Sequence, residues 1–299
     1  MLSILIPTYN YNVYPLVFSL VQQLSIQNIS YEVIVLDDGS QNHYRLQNEK
    51  INNFNFCKFL INKNNLGLSS TRNLLIKASK YNYVLFIDGD SVIFDSNYIK
   101  NYIQAINNNL NIIYGGRIHP KAIGHSNQKL RWKYGKYVED KLCDVRTQSP
   151  YKTLMFNNTL IKKDLLKKIQ FDSTITKYGH EDTLLAYQIS LLQFKVTHIN
   201  NPVEHGDIDL NTIFIAKTIS GLDNLKSIYK KNLIEIDFIT LLKWYDKLFR
   251  FKLHYIFILF HHLLQNVMIK NLESQFPSLL VFKLFKICHF CYTCNQEID

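Results

Sequence analysis

Glycine and proline are scarce in this chain of 299 residues, at ten and six. No glycine follows the first apolar run, Leu2-Ser3-Ile4-Leu5-Ile6, which passes instead into Pro7-Thr8-Tyr9-Asn10. That excludes the Gly-x-Gly-x-x-Gly turn of dinucleotide-binding domains, and a Walker-type phosphate loop is missing as well. Any nucleotide must then be held by side chains and a metal. The five cysteines have no framework spacing, which excludes a disulfide scaffold and predicts a reducing, cytoplasmic setting. Met1 leads directly into a strand-like run, so no secretory signal is expected. No apolar stretch is long enough to span a bilayer: Tyr255 to Phe260 is apolar all round, but His254, His261 and His262 interrupt it. Acidic residues are outnumbered, 24 against 34 basic ones, for a net charge of +10. This balance favours an anionic partner, whether nucleotide phosphates, a nucleic acid or an acidic membrane surface. No recognition motif supports nucleic acid, and none is expected as a partner.

What is present is a globular chain, 47% hydrophobic and 19% charged, with length for one or two domains. Short apolar runs alternate with helical patterns. Strands are expected at Ser3 to Ile6, ended by Pro7, and at Tyr31 to Leu36, Phe56 to Ile61, Tyr83 to Ile87, Ile112 to Tyr114, Thr153 to Ile161 and Lys195 to Ile199. Helices between them carry apolar stripes: Leu16, Leu20, Val21 and Leu24, with Asn10 or Asn12 as cap; Leu68, Thr71, Leu75 and Ala78; and Leu184, Tyr187, Leu191 and Phe194. Further helices are expected over Ser96 to Asn107 and Lys163 to Ile169. The alternation predicts a mostly parallel sheet with right-handed crossovers. The stretch from His119 to Ser149, with Arg131, Trp132, Lys133, Tyr134, Lys136 and Tyr137, reads as irregular, either a mobile lid or a surface excursion.

Chemistry concentrates where strands end. Phe86-Ile87 runs into Asp88-Gly89-Asp90, and open α/β sheets place ligands at the carboxyl ends of their strands. Two carboxylates so close repel unless a cation lies between them, and hard cations of the Mg²⁺ or Mn²⁺ type take oxygen ligands. Gly89 permits a sharp turn and close approach of a ligand. Leu36-Asp37-Asp38-Gly39 repeats the pattern. Asn157 or Asn158, polar in a strand interior, is expected to face the site. Glu181 and Asp182 open a helix, where a carboxylate suits the positive helix terminus.

These pieces stand in one order: Ile4 to Asn10, Val35 to Ser40, Asn65 to Asn73 with Gly67 and Arg72-Asn73, Phe86 to Asp90, then Phe171-Asp172, Gly179-His180-Glu181-Asp182 and Pro202-Val203-Glu204-His205. In that order the chain resembles family 2 glycosyltransferases of the GT-A fold over residues 1–210. The resemblance implies an α/β, Rossmann-like, mixed but mostly parallel sheet flanked by helices, with residues 211–299 as a helical C-terminal extension. It implies an inverting enzyme that moves a sugar from a nucleotide diphosphate, expected to be UDP-linked, to a saccharide or lipid-linked acceptor in bacterial cell-surface glycan synthesis. Pro7, Thr8 and Tyr9 would line the base pocket, an acid of the Asp37-Asp38 pair would accept from base or ribose, and Arg72 would lie near the base. Asp88 and Gly89 would face the ribose or metal. Asp88, Asp90 and His205 would bind Mn²⁺ or Mg²⁺, which stabilises the departing diphosphate. Asp182 would be the general base, with Glu181 orienting it or the acceptor.

Two rivals remain: a nucleotidyltransferase, whose glycine-rich N-terminal loop is missing, and a non-catalytic membrane-associated scaffold. In the tail, Lys243 to Ile269 mixes aromatic and basic residues and is either a buried helix or, as expected here, one lying in the membrane interface. Cys288, His289, Cys291 and Cys294 do not make a complete zinc set and are expected to be free thiols.

Overall fold

The computed structural model describes residues 1–296. They fall into an α/β unit (residues 1–120, 140–176 and 181–207) and a helical unit (residues 121–139, 177–180 and from Ile208 onward).

The α/β unit holds β1 (Leu2–Thr8), β2 (Tyr31–Asp37), β3 (Cys57–Ile61), β4 (Tyr83–Ile87), β5 (Ser91–Val92), β6 (Ile112–Tyr114), β7 (Arg117–Ile118), β8 (Asn158–Lys162), β9 (Val196–His198) and β10 (Val203–His205). Seven of them form the central sheet in the order β3-β2-β1-β4-β8-β6-β9. All pair in parallel except β8, which runs antiparallel to both β4 and β6. The sheet is therefore mixed and mostly parallel, as expected. Its strands are apolar on both faces because both are covered. Leu2, Ile4 and Ile6 pack with Leu16, Leu20 and Leu24 of α1 (Tyr14–Ser25). Leu5, Val84 and Phe86 pack instead with Leu75 of α3 (Leu68–Ala78) and with Leu185 and Ile189 of α7 (Glu181–Leu191). The short helix α2 (Asn42–Asn48) lies between β2 and β3 in the chain, and α4 (Tyr98–Asn107) between β5 and β6.

Several expectations need correcting. Pro7 does not end β1, which runs on to Thr8. Only Leu2–Leu5 pair with β4, so at Pro7 the ladder continues with β2 alone and the missing N–H is tolerated. Helix α1 is capped as expected from Asn12, whose Oδ1 accepts from the Tyr14 N–H at 3.1 Å, while the intervening Val13 gives no side-chain bond. Its four buried apolar residues, worth about 2 kcal/mol each, add more than that cap, worth about 1 kcal/mol. In α3 the inward face is Ser69, Thr71, Arg72 and Leu75, and Ala78 is exposed, because charged Arg72 is drawn inside. In α7 the inward residues are Glu181, Leu184, Leu185, Ala186 and Ile189 while Leu191 is exposed, since the inward turn of Glu181 sets the phase. The stretch expected to be irregular contains two short helices, α5 (Lys129–Tyr134) and α6 (Cys143–Thr147). Arg146 on α6 is buried over the Tyr114 ring and donates to the carbonyls of Gly115 and Ile199.

The helical unit is built from α5, α8 (Asn211–Lys230), α9 (Thr240–Arg250), α10 (His254–Glu273) and α11 (Leu279–Asn295). Leu130, Phe214, Ile215, Met268, Leu272, Phe282, Phe285 and Cys288 form its core. All five cysteines of the chain are free thiols. Burial pushes Cys288 and Cys294 up to about 11 and Cys291 to about 12. Among the described residues no helix is long and apolar enough to cross a membrane.

Candidate active site

The acids gather at the carboxyl ends of β2 and β4 and at the start of α7. Beyond β4 the Asp88 N–H donates to the Asn157 carbonyl at 3.3 Å and the Asp88 carbonyl accepts from the Ser91 N–H at 3.1 Å, folding the chain back into β5. Strand β5 pairs antiparallel with β10, His205 opposite Ser91, and the Gly206 N–H donates to the Asp90 carbonyl at 2.8 Å. This register sets His205 Nε2 3.0 Å from Asp90 Oδ2, although the paired His205 and Ser91 lie 114 positions apart in the chain. Gly89 has a different use from the one expected. A Cβ there would meet Val13 Cγ1 at 2.9 Å and the Pro7 carbonyl at 3.1 Å. The glycine lets the acidic turn pack on the chain's own β1 exit.

Arg72 is the centre of the cluster. Its side chain is 1% exposed and lies over the Phe171 ring at 5.1 Å. Nη2 donates to Asp88 Oδ1 at 2.9 Å and Nη1 to Asp182 Oδ1 at 2.5 Å. The other Asp182 oxygen accepts from the Phe156 N–H at 2.9 Å. The neighbouring Asn73 exchanges hydrogen bonds with the backbone of Phe171, fixing α3 against that segment. Arg72 is thus a buried bridge between two carboxylates, not a group lying open beside a nucleotide base. Burial works against its charge, but Asp182, Asp88 and Glu181 together outweigh it and hold its pKa above the usual arginine value.

One arginine does not balance this many acids. Burial pushes the Asp88 carboxyl up; Arg72 pulls it back, and Asp90 and Asp182 add to the upward push. Glu181 is pushed up to about 7, first by burial and then by Asp182. Carboxyls raised first by burial and then by one another leave room for added positive charge.

The pair at the end of β2 serves the loops. Asp37 Oδ1 accepts from the N–H groups of Gly39 and Ser40. Asp38 accepts from Asn62 Nδ2 and from the N–H groups of Leu66 and Gly67. Both acids are buried, and Asp37 Oδ2 is a buried oxygen with no hydrogen-bond partner. Asp38 Oδ1 is thus taken by two donors of the 62–67 loop, while Oδ2 accepts one of them and keeps a lone pair. Pro7 and Thr8 are buried at the β1 exit, and Tyr9 stands exposed beside them. Of the two asparagines expected to face the site, Asn158 is instead a buried knot: it accepts from the Tyr98 and Tyr102 hydroxyls and donates to the carbonyls of Gly116 and Asn201. Asn157 is buried beside Asp88, to which its carbonyl is bonded.

His119 escaped the sequence reading. Its Nδ1 lies 2.6 Å from Asp140 Oδ1, and its ring meets the His205 ring edge-on at 5.1 Å between centroids. No periodicity marks it, since it sits in the stretch that reads as irregular.

Among the described residues, no group of three or more His, Cys, Asp or Glu side chains is arranged to hold a metal ion. The Asp90–His205 separation nevertheless suits two adjacent ligands of an octahedral cation bound at about 2.1 Å, and cations of the Mg²⁺ type commonly take one or two protein ligands and complete their shell with substrate phosphates and water. Asp88, also expected as a ligand, is turned to Arg72. A cavity of about 500 Å³ lined by Leu66, Ser70, Asn73, Lys77 and Lys163 takes in none of these acids, so the site is defined by its charged groups.

Comparison with known proteins gives the family. The chain is 28% identical over 210 residues to an uncharacterized glycosyltransferase of Haemophilus influenzae, covering 69% of this chain and 67% of that protein. It is 24% identical over 194 residues to the minor teichoic acid biosynthesis protein GgaB of Bacillus subtilis, covering 63% of this chain but only 21% of GgaB. The crystal structure of Staphylococcus aureus TarS 1–349 in complex with UDP-GlcNAc superposes with a TM-score of 0.51 at 19% identity, covering 73% of this chain and 64% of that one, a likeness of fold. A family model, Glycosyl transferase family 2, matches residues 3–170. The chain belongs to glycosyl transferase family 2.

Proposed function

We propose that the α/β unit forms the catalytic domain of an inverting, metal-dependent glycosyltransferase; the helical extension expected from residue 211 onward also takes in residues 121–139 and 177–180. The donor is a nucleotide diphosphate sugar of the UDP class, and the acceptor a saccharide, free or lipid-linked, in assembly of a cell-surface glycan. The observation that carries this reading is the single buried Arg72 joining Asp88 on the strand-end turn to Asp182 on α7. The complex of TarS with UDP-GlcNAc and the role in GgaB's name support the donor and the setting.

Each residue then has a task. Tyr9 offers an exposed ring at the β1 exit for stacking on a base. Asp90 and His205 would hold the Mn²⁺ or Mg²⁺ ion, which when bound neutralises charge on the leaving diphosphate. Asp182, fixed from two sides by Arg72 and the Phe156 N–H, keeps a further lone pair on each oxygen to accept the acceptor hydroxyl's proton. Glu181, at about 7, is part protonated at neutral pH and is suited to hydrogen-bond an acceptor hydroxyl in either direction. One base and no carboxylate assigned as nucleophile imply direct displacement with inversion.

The test is incubation with UDP-sugars and Mn²⁺, following release of UDP. Release that is lost in Asp90→Asn supports the reading. Pyrophosphate formed from a sugar phosphate and a nucleoside triphosphate would replace it with nucleotidyl transfer. Metal-dependent binding of UDP-sugar with no turnover on any acceptor would replace it with a non-catalytic role.

A further inference from the structure

Helix α10 wears its apolar side outward. His254, His261, Met268 and Leu272 face the core of the helical unit. The exposed side carries two apolar rows at four-residue spacing, Tyr255, Leu259, Leu263 and Val267 in one and Ile256, Phe260 and Leu264 in the other, with exposed His262 and Asn266 along the edge of the first. Leu263 and Val267 are 66% and 63% exposed. From Tyr255 to Val267 the rows extend for about 18 Å, more than three turns. At the N-terminal end of α10 the preceding segment adds exposed Trp244, Phe249, Phe251 and Leu253. A contiguous apolar surface of this kind marks something that covers it.

The charge around the face indicates what. Between Thr240 and Glu273 the basic residues are Lys243, Lys247, Arg250, Lys252 and Lys270, and the acids are Asp246 and Glu273, a net charge of +3 within a chain of +10. Lys247 lies over the exposed Trp244 ring at 5.6 Å. A second copy would bring the same positive rim against itself, whereas anionic headgroups complement it. Tryptophan and tyrosine at the margin of an aliphatic face, with lysines and arginine beside them, are the composition of a helix that lies in the headgroup layer. The helix does not satisfy the length and hydropathy of a membrane span.

We propose that the exposed face of α10, with the α9–α10 corner, binds the surface of a bilayer containing anionic phospholipid. Leu259, Leu263, Val267, Ile256 and Phe260 enter the acyl boundary, and Lys247, Lys252 and Lys270 meet the phosphates, Arg250 being paired with Asp246 at 2.8 Å. The inference is independent of the catalytic reading, because binding is measured without turnover.

The experiment uses the full chain with vesicles of phosphatidylcholine and phosphatidylglycerol in equal parts, and with phosphatidylcholine alone. The protein sediments with the mixed vesicles, more weakly with the neutral ones, and the difference shrinks as salt is raised. Leu259→Glu/Leu263→Glu abolishes sedimentation while its circular dichroism and melting stay those of the parent, both side chains being exposed. Lys247→Gln weakens binding to the mixed vesicles about fivefold, as expected for one juxtamembrane charge. Failure of the parent to bind the mixed vesicles, or binding unaltered in the double variant, overturns the proposal. So does a lipid-free dimer that the double variant converts to monomer, which would assign the face to a second copy.

Discussion

Replacing Arg72 by methionine tests the centre of the site. The substitution keeps much of the side chain's length and apolar contact with Phe171 but removes both ion pairs. Breaking a buried pair by removing one partner costs about 3–5 kcal/mol. Here Arg72 is 1% exposed, but its partners Asp88 and Asp182 keep 30% and 21% of their side-chain surface, so water softens the loss and the lower end, about 3 kcal/mol, applies. For a unit of this size each kcal/mol lowers Tm by about 2–4 °C, giving a fall of about 10 °C. Arg72→Lys recovers little, since an ammonium cannot span two carboxylates as a guanidinium fork does. Asp182 keeps only the Phe156 N–H as an anchor, and transfer drops by about a hundredfold, the scale of a misplaced catalytic group. The triple variant Arg72→Met/Asp88→Asn/Asp182→Asn separates the two roles: with no carboxylate left unpaired it regains part of the lost Tm but no transfer. Differential scanning fluorimetry and UDP release measure both quantities. A Tm for Arg72→Met within about 2 °C of the parent, or transfer left unchanged, refutes the bridge.

Asp182→Asn is expected to bind UDP-sugar as the parent does and to lose transfer by about a thousandfold, while Glu181→Gln loses less and raises the acceptor KM; full transfer in Asp182→Asn removes it as base. Gly67 has φ +84° and a Cβ there would lie 2.7 Å from the Thr176 carbonyl, so Gly67→Ala costs about 2–4 kcal/mol in urea unfolding, and a loss below about 0.5 kcal/mol contradicts the strain. Burial lowers His261 to about 4, with His289 and His262 adding to the effect, and lowers His180 to about 4 as well. Both then bind protons more readily unfolded than folded, so their stability contribution is full above pH 6.5 and is lost as pH falls toward 4. At pH 5 the loss reaches up to about 2 kcal/mol per histidine. Melting curves from pH 7 to pH 5 measure it, and His261→Phe flattens the decline; a Tm unchanged over that range contradicts it.

The sheet was legible because burial on both faces writes itself as short continuous apolar runs, and β2, β4 and β6 lie where those runs lie. The acids at the strand ends were legible for the same reason, since each stands where an apolar run stops. The antiparallel course of β8 was not, because direction leaves no mark on a strand's composition. Nor was the inward turn of Arg72 and Glu181: a charged residue inside a helix stripe breaks the apolar periodicity that is used to find the stripe. The pairing of Asn73 with Phe171, and of Arg72 with Asp182, joins positions about a hundred residues apart, and only the folded chain reports such partners. Asp38 shows a further silent feature, since its bonds to Asn62, Leu66 and Gly67 tie the strand end to the neighbouring loop and leave no mark in the sequence.

The ladder between β5 and β10 holds only two residue pairs, Glu204 with Val92 and His205 with Ser91. It fixes His205 by register and not by contour length. Everything the chain does between those two strands, including α4 to α7, is invisible to it as long as the ends return to pair. Segments inserted at exposed turns in that interval cost little closure entropy, because the cost grows only with the logarithm of loop length. A slip of one residue in the ladder itself would turn His205 to the opposite face of the small sheet and present Glu204 or Gly206 in its place. The spacing between the acids and this histidine is therefore free to drift over evolutionary time while the histidine stays put, and a search keyed to fixed spacing will miss it where a search keyed to strand pairing will not.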